Sequence, residues 1–413
     1  MNYNHQNVWI LKQESIGPLV KYLDPFMEHL VQQGFCQRYI GLHCRITSYF
    51  SNWLLKNNIL EHEIKEEHID EFLKKRDQDH KRDINSGKIA TLHRLLMFLK
   101  KLGVVKDIDK AVSNTPIQKI FNSYRSYILN EKGLSTKTLI QYWPFIKRFL
   151  TTCFGEKPVE LSDLSAKDII NFIKHQAAIH SVARAKVAVN ALRSFLRYAI
   201  VCGDVNFALI NAVPTVAAWS MSSIPKAIKP EHIDAVLKNC PRDTPIGKRD
   251  HAILMLLVHL GLRSGEIVEL KLDNINWEEG IITVNGKASQ NHTLPLPTLV
   301  GEAIADYLQH ARPKVNVRTL FLRTLAPFTG LGAQSTIATI VRASIERAGI
   351  DPPTRGAHQF RHAFASRLIQ KGSSLKEIGG LLRHEHSKTT NIYAKIDMNS
   401  LHSLSMPWPG EIS

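Results

Sequence analysis

Two arginines, a lysine, two histidines and a tyrosine stand in a set order through the second half of the chain: Arg263, Lys287, His358, Arg361, His384 and Tyr393. These side-chain types are what a metal-free phosphoryl transfer to a tyrosine needs. Two guanidiniums can fork onto non-bridging phosphate oxygens. A lysine and imidazoles can move protons. A phenol can attack. With an unperturbed pKa of about 10, the phenol needs electrostatic help at neutral pH, which arginines and a well-placed phosphate supply.

Each residue also has a plainer reading. Arg263 follows the apolar run Ala252 to Leu262 and lies between Gly261 and Gly265, where an arginine can simply cap a helix C-terminus. Glu266 is close enough in sequence to hold its guanidinium in a charge-assisted pair. His358 and Arg361 are three apart and share one helix face, with Phe360, Phe364 and Leu368 forming a separate core stripe. His358 and His362 have the i, i+4 spacing of metal ligands. Gln359 stands where that motif carries its glutamate, and Arg361 would repel a cation, so no metal site is expected. Lys287 follows the hairpin dipeptide Asn285-Gly286 and reads equally as a solvated turn tip. Tyr393 alone reads as a packed aromatic, and Thr389 and Thr390 suit the cap of a short helix carrying it. The order of all six together is far more specific than any one of them.

The elements that must position these groups can be traced from hydrophobic spacing. The first half contains an internal repeat at an offset of about 100 residues. Gly34 matches Gly133, Phe50 matches Phe149, Ile69 and Phe72 match Ile169 and Phe172, and Leu92, Leu96 and Gly103 match Leu192, Leu196 and Gly203. Spacings of three and four predict amphipathic helices, with Gly103 and Gly203 past helix ends. Two tandem helical bundles are expected, over residues 1–112 and 113–216. Pro- and Ser-rich residues 217–229 read as a linker. Residues 230–413 change character. Residues 270–277, 280–284 and 292–296 read as strands of one small antiparallel sheet, and 249–262, 298–311, 334–348, 357–371 and 375–382 as helices. The predicted class is mainly α.

Composition agrees with a polyanion-binding protein. The chain of 413 residues has 53 Lys and Arg against 37 Asp and Glu, a formal charge of +16. A charge of that sign and size favours nucleic acid. The chain is too long for one core. Its five cysteines are scattered without a C-x-x-C pair, which predicts reduced thiols and a cytoplasmic protein. No apolar run is long enough for a membrane span, and the N-terminal residues show no secretion signal.

In identity, order and spacing, the segments Gly261–Glu269, Val284–Leu296, Gly356–Ser366 and Gly379–Tyr393 resemble the tyrosine recombinases, the phage-integrase family. The resemblance implies a C-terminal catalytic domain of the DNA breaking-rejoining fold over 230–413. It also implies a SAM-like core-binding domain over 113–216; the bundle over 1–112, expected to be SAM-like too, has no required counterpart and reads as an added arm or a second clamp. It implies site-specific recombination of double-stranded DNA by a homotetramer, through a 3′-phosphotyrosine, with no cofactor. Tyr393 would be the nucleophile, and Arg263 and Arg361 would stabilise the pentacoordinate phosphorus. Lys287 would be the acid toward the 5′-oxygen, His358 would assist proton transfer at the tyrosine, and His384 would hydrogen-bond the phosphate. The offset of nine positions from His384 to Tyr393 fits the family, whereas the offset of seven from His386 does not. One position departs: Arg383 stands where the family carries glycine, at a turn glycine adopts more easily. Lys137, Arg184, Lys186 and Arg193 are the candidate DNA contacts of the second bundle, and Leu401, Leu404, Met406 and Trp408 a candidate plug for a neighbouring protomer. A DNA-binding relative without catalysis and a type IB topoisomerase are the competing readings.

Overall fold

The computed structural model describes residues 16–79, 86–105, 115–155, 157–217, 227–286, 291–384 and 387–396. The chain divides into two compact units: Met1–Lys106 together with Ser223–Ser413, and Asp107–Ser222.

The repeat seen in the sequence is a repeat of structure. The first bundle holds α1 (Val20–Gln32), α2 (Gln37–Lys56), α3 (Glu66–Asp79) and α4 (Ser86–Lys101). The second holds α5 (Pro116–Ser126), α6 (Thr136–Phe154), α7 (Ala166–Ile179) and α8 (Val182–Val201), followed by the short α9 (Ala208–Asn211). A single 3-10 turn precedes α3 and another precedes α7, at Glu61–Glu63 and Leu161–Asp163. Phe50 and Phe72 pack edge to face at 5.2 Å and 63°, and Phe149 and Phe172 do so at 5.2 Å and 66°. Ile69, Leu92 and Leu96 are buried in one core and Ile169, Leu192 and Leu196 in the other. Both last helices end on a left-handed glycine, Gly103 at φ 73° and Gly203 at φ 82°. There the following N–H groups of Val104 and Asp204 return to the carbonyls of Leu99 and Ala199.

Within the first unit the early bundle touches the later residues at Gln33 and Gly34. The Phe328 N–H donates to the Gln33 carbonyl at 3.0 Å. A Cβ on Gly34, whose φ is +85°, would lie 2.1 Å from the Phe328 ring, so only glycine fits there.

The remaining elements surround one large core and a smaller apolar cluster that includes Tyr393. They are α10 (Pro230–Lys238), α11 (Pro245–Leu260), α12 (Ser264–Glu269), strands β1 (Ile275–Asn276), β2 (Ile281–Asn285) and β3 (Asn291–Pro295), then α13 (Thr298–His310), α14 (Gln334–Arg347), α15 (His358–Gln370), α16 (Leu375–Leu381) and α17 (Ser387–Thr390). The sheet is antiparallel in the order β1-β2-β3. Helix α11 is apolar on nearly every side; Leu254, Leu256 and Leu257 are all fully buried, as expected of a helix at the centre of a domain. Ile228, inside the expected linker, is buried against this core.

One expectation is corrected. Residues 270–277 do not form a full strand; Leu272–Asn274 is a 3-10 turn and only Ile275–Asn276 pairs with β2. The alternating pattern is satisfied elsewhere. The Leu272 N–H donates to the Arg318 carbonyl and the Leu320 N–H to the Leu270 carbonyl, so backbone from 318–320 takes the ladder positions.

Candidate active site

The site is built where three helices end. Helix α11 stops at Gly261, left-handed at φ 56°, where a Cβ would meet Phe364 at 2.8 Å. The chain turns there and Arg263 becomes the N-cap of α12. Glu266, three residues on, accepts from the Arg263 backbone N–H and from its guanidinium, both at 2.8 Å. The other amino group of Arg263 donates to the Arg383 carbonyl at 3.1 Å. The Arg263 side chain remains 36% exposed, so this guanidinium can meet a ligand from solvent.

Helix α16 ends in a Schellman turn. The Arg383 N–H donates to the Gly380 carbonyl and the His384 N–H to the Gly379 carbonyl, each at 2.9 Å. Arg383 occupies the position that glycine normally takes and has φ +56°. Its side chain folds inward, 1% exposed, and donates to Glu266 at 2.9 Å and to the Leu381 carbonyl at 2.8 Å. Glu266 therefore lies between two guanidiniums. Burial pushes its carboxyl up, but the charge of Arg383 and the hydrogen bonds from Arg263 and Arg383 carry it below the usual value.

Arg361 is the structural pin. It is 1% exposed and donates to the Gly261 carbonyl at 2.7 Å and to the Leu382 carbonyl. One buried guanidinium thus ties the end of α11 to the end of α16. Burial and the neighbouring Arg263 and Arg383 lower its pKa, yet a guanidinium in this environment stays protonated.

Tyr393 lies in the 3-10 segment Asn391–Ile396, 1% exposed among Ala365, Ile369, Ile378 and Leu382. Its hydroxyl is 2.9 Å from Nδ1 of His362. Burial pushes the phenol up to about 12, against the pull of Arg361 and Arg263. His362 is pushed down to about 4 by burial, His358 and Arg361. His358 meets the His362 ring edge-on at 4.9 Å and is itself lowered by burial, Arg361 and Arg263. His384 is also pushed down to about 4, by burial and then by Arg361, Arg263 and Arg383. Its Nδ1 is 2.8 Å from the Thr390 hydroxyl, and its ring is parallel to Tyr393 with centroids 6.5 Å apart. At neutral pH the arrangement holds a protonated phenol beside neutral imidazoles, with arginine charge at hand. Such a set can supply a nucleophile, proton acceptors and an anion receptor.

The fold thus brings together Arg263, His358, Arg361, His384 and Tyr393, from segments far apart in sequence. Lys287 lies outside the described residues; β2 and β3 flank it, with Asn285 opposite Asn291. His386 and the expected plug residues Leu401, Leu404, Met406 and Trp408 also lie outside them. The ring at hydrogen-bond distance from the phenol belongs to His362, one turn after His358. Thr390, a candidate cap for the helix carrying Tyr393, holds His384 through its hydroxyl. Sequence reasoning treated His362 only as a metal-ligand candidate and Arg383 only as a departure. The signals were present in the i, i+4 spacing of the histidines and in a charged residue at a glycine position. Among the described residues no group of three or more His, Cys, Asp or Glu is placed to hold a metal.

Of the basic residues in the second bundle, Lys137 is exposed at the start of α6 and Lys186 is half-buried on α8. Arg184 lies over the Phe145 ring at 5.5 Å. Arg193 donates to the Val213 carbonyl at 3.0 Å, which gives it a structural task. No described helix is long and apolar enough to cross a membrane.

Comparison with known proteins gives a consistent result. The model of the phage integrase family matches residues 226–400, and that of the phage integrase N-terminal SAM-like domain matches 121–202. An integrase/recombinase of Sinorhizobium fredii, y4rA, is 41% identical over 412 residues, covering 100% of both chains. Tyrosine recombinase XerD of Listeria innocua is 28% identical over 67% of this chain and 94% of its own. Among solved structures, a lambda integrase tetramer bound to a Holliday junction superposes with a TM-score of 0.52 at 20% identity, over 80% of this chain and 90% of that one. The XerH site-specific recombinase in a post-cleavage complex has a TM-score of 0.51 at 18% identity, over 94% of this chain and 98% of that one. These two likenesses concern the fold.

Proposed function

We propose, from the premise that this chain belongs to the phage integrase family of tyrosine recombinases, that Tyr393 is the nucleophile with which it carries out site-specific DNA recombination. The observation that carries this reading is the Tyr393 hydroxyl, hydrogen-bonded to a neutral imidazole and within the field of Arg263 and Arg361. Arg263, the exposed guanidinium, receives the scissile phosphate. Arg361 contributes positive charge from behind and keeps the turns in register. His384 faces the phosphate, and His358 supports proton transfer. Lys287, on the β2–β3 hairpin, gives a proton to the departing 5′-oxygen. The phenolic oxygen bonds to phosphorus as the P–O5′ bond breaks, leaving a 3′-phosphotyrosine and a free 5′-hydroxyl. Reversal on a new 5′-hydroxyl rejoins the strand, with no external energy source. We assign residues 113–216 as the core-binding domain, 230–413 as the catalytic domain, 217–229 as the linker and 1–112 as an added helical bundle. Lys137, Arg184 and Lys186 provide phosphate contacts. Four protomers act together on two DNA sites, in the cytoplasm.

The test is covalent capture. A library of nicked duplexes with randomised cores is incubated with the protein, and adducts are recovered after denaturation. Wild type is expected to select one family of sequences as a tyrosine-linked adduct, and Tyr393→Phe none. An adduct of undiminished yield from the Phe variant would remove the nucleophile assignment. Relaxation of supercoils without any sequence selection would favour topoisomerase chemistry instead.

A further inference from the structure

We infer that His362 is the direct proton acceptor for Tyr393, a catalytic role additional to the six residues assigned above. The inference rests on the reading of Tyr393 as nucleophile.

The geometry carries it. His362 Nδ1 is 2.9 Å from the Tyr393 hydroxyl, at hydrogen-bond distance. The rings are tilted at 60° with centroids 5.6 Å apart, so the contact is made through the hydroxyl rather than by face stacking. The phenol is buried among apolar side chains and His362 is half-buried beside it. Among the described residues the hydroxyl's hydrogen-bond partner is His362, and a buried phenol sends its proton to such a partner or keeps it. His362 is one helical turn after His358, so α15 presents these two rings on one face, 4.9 Å apart.

The groups facing His362 are His358 and Arg361 from its own helix and Tyr393 from the 3-10 segment. Arg263 and His384 belong to the same cluster through Tyr393 and His358. Burial first, and then His358 and Arg361, keep the imidazole neutral in the free enzyme, ready to accept. An incoming phosphate brings negative charge into the cluster and makes the imidazolium easier to form. Proton loss from the phenol is then coupled to substrate arrival.

The step balances. The Tyr393 O–H bond breaks and its proton passes to His362 Nδ1, giving an imidazolium with Nε2 also protonated. The phenolic oxygen pair forms the new O–P bond, and the P–O5′ pair leaves on oxygen, which takes a proton from the acid assigned to Lys287. In the rejoining step His362 returns its proton to the tyrosine oxygen as the phosphotyrosine bond breaks.

The experiment uses the full chain and the duplex captured above. Single-turnover cleavage is followed from pH 6 to 9 for wild type, His362→Asn and His362→Ala. General-base loss is worth ~100-fold or more, so the Asn variant is expected to cleave at least that much more slowly while binding the duplex normally in a mobility-shift assay. Its rate should climb close to tenfold per pH unit up to pH 9, because hydroxide must now remove the proton, while wild type stays nearly flat above pH 7. Added imidazole should restore part of the His362→Ala rate in proportion to its free-base fraction. If the Asn variant is unstable, the imidazole response of His362→Ala and the profile of His362→Gln decide the matter. Wild-type cleavage by the Asn variant, or an unchanged pH slope with no imidazole response, would overturn the inference while leaving Tyr393 as nucleophile. Faster cleavage by the variants would also overturn it, showing the contact to be a latch. Absence of any adduct from wild type would instead bring down the underlying reading.

Discussion

Replacing Arg383 with glycine is the sharpest test of how the site is held. Arg383 sits at φ +56°, a conformation that disfavours a side chain by ~1 kcal/mol. Glycine removes that strain and would place the family's usual residue at the turn. The same change deletes a guanidinium whose side chain is 1% exposed and which donates to Glu266 at 2.9 Å. Breaking a buried ion pair from one side destabilises by about 3–5 kcal/mol. Glu266 keeps two other hydrogen bonds, from the Arg263 backbone and guanidinium, so the lower end of that range applies. Subtracting the relieved strain leaves a net loss of ~2 kcal/mol, or a melting point lower by about 4–8 °C at the scale of a 150–250-residue unit. Thermal melts of wild type, Arg383→Gly, Glu266→Gln and the double variant provide the measurement. The pair should show a coupling of about 1–3 kcal/mol in that cycle. A melting point equal to or above wild type in Arg383→Gly would refute the reasoning. The strain would then outweigh the ion pair.

Three further outcomes are expected. His362 and His384 are held at about 4, below their ordinary 6.5, so between those values the unfolded chain binds protons that the native one does not. Stability should therefore fall as pH drops from 6.5 through about 4, and Glu266, held below 4.5, adds to the loss beneath that value; denaturant midpoints at pH 7, 6, 5 and 4.5 check this, and a flat series would contradict it. Arg361→Lys should destabilise by ~3 kcal/mol because two buried carbonyls lose their donor, while Arg263→Lys should melt within about 3 °C of wild type yet lose most adduct formation. In the second bundle, Lys137→Ala and Arg184→Ala should each lower the salt slope of DNA binding by about 1, whereas Arg193→Ala should cost ~1 kcal/mol of stability through the lost Val213 contact.

Much of this molecule can be read along the chain, because its determinants are local. Helix periodicity located α11, α13, α14, α15 and α16 to within a few residues, since amphipathic spacing depends only on near neighbours. The duplicated bundle was visible for the same reason: identical core positions at a constant offset keep the same ring pair, Phe50 with Phe72 and Phe149 with Phe172. All six candidate catalytic residues were picked out by type and order, and the fold brings together the five that lie among the described residues. Where local pattern and distant partner compete, the pattern misleads. Residues 270–272 alternate like a strand, but their backbone bonds go to residues 318–320.

By itself, then, the sequence determined which residues could carry the chemistry, the family they belong to and the helices that present them. Only tertiary structure decided their division of labour. Arg263 and Arg361 look equivalent in sequence, yet burial leaves one guanidinium open to solvent and makes the other a pin between two helix ends. His358 and His362 share a helix, and a hydroxyl contributed 31 residues later selects between them. Arg383 looks misplaced at a glycine position until Glu266, 117 residues earlier in the chain, is seen to hold it. In each case the deciding interaction is a buried hydrogen bond or charge pair between segments that only folding brings together.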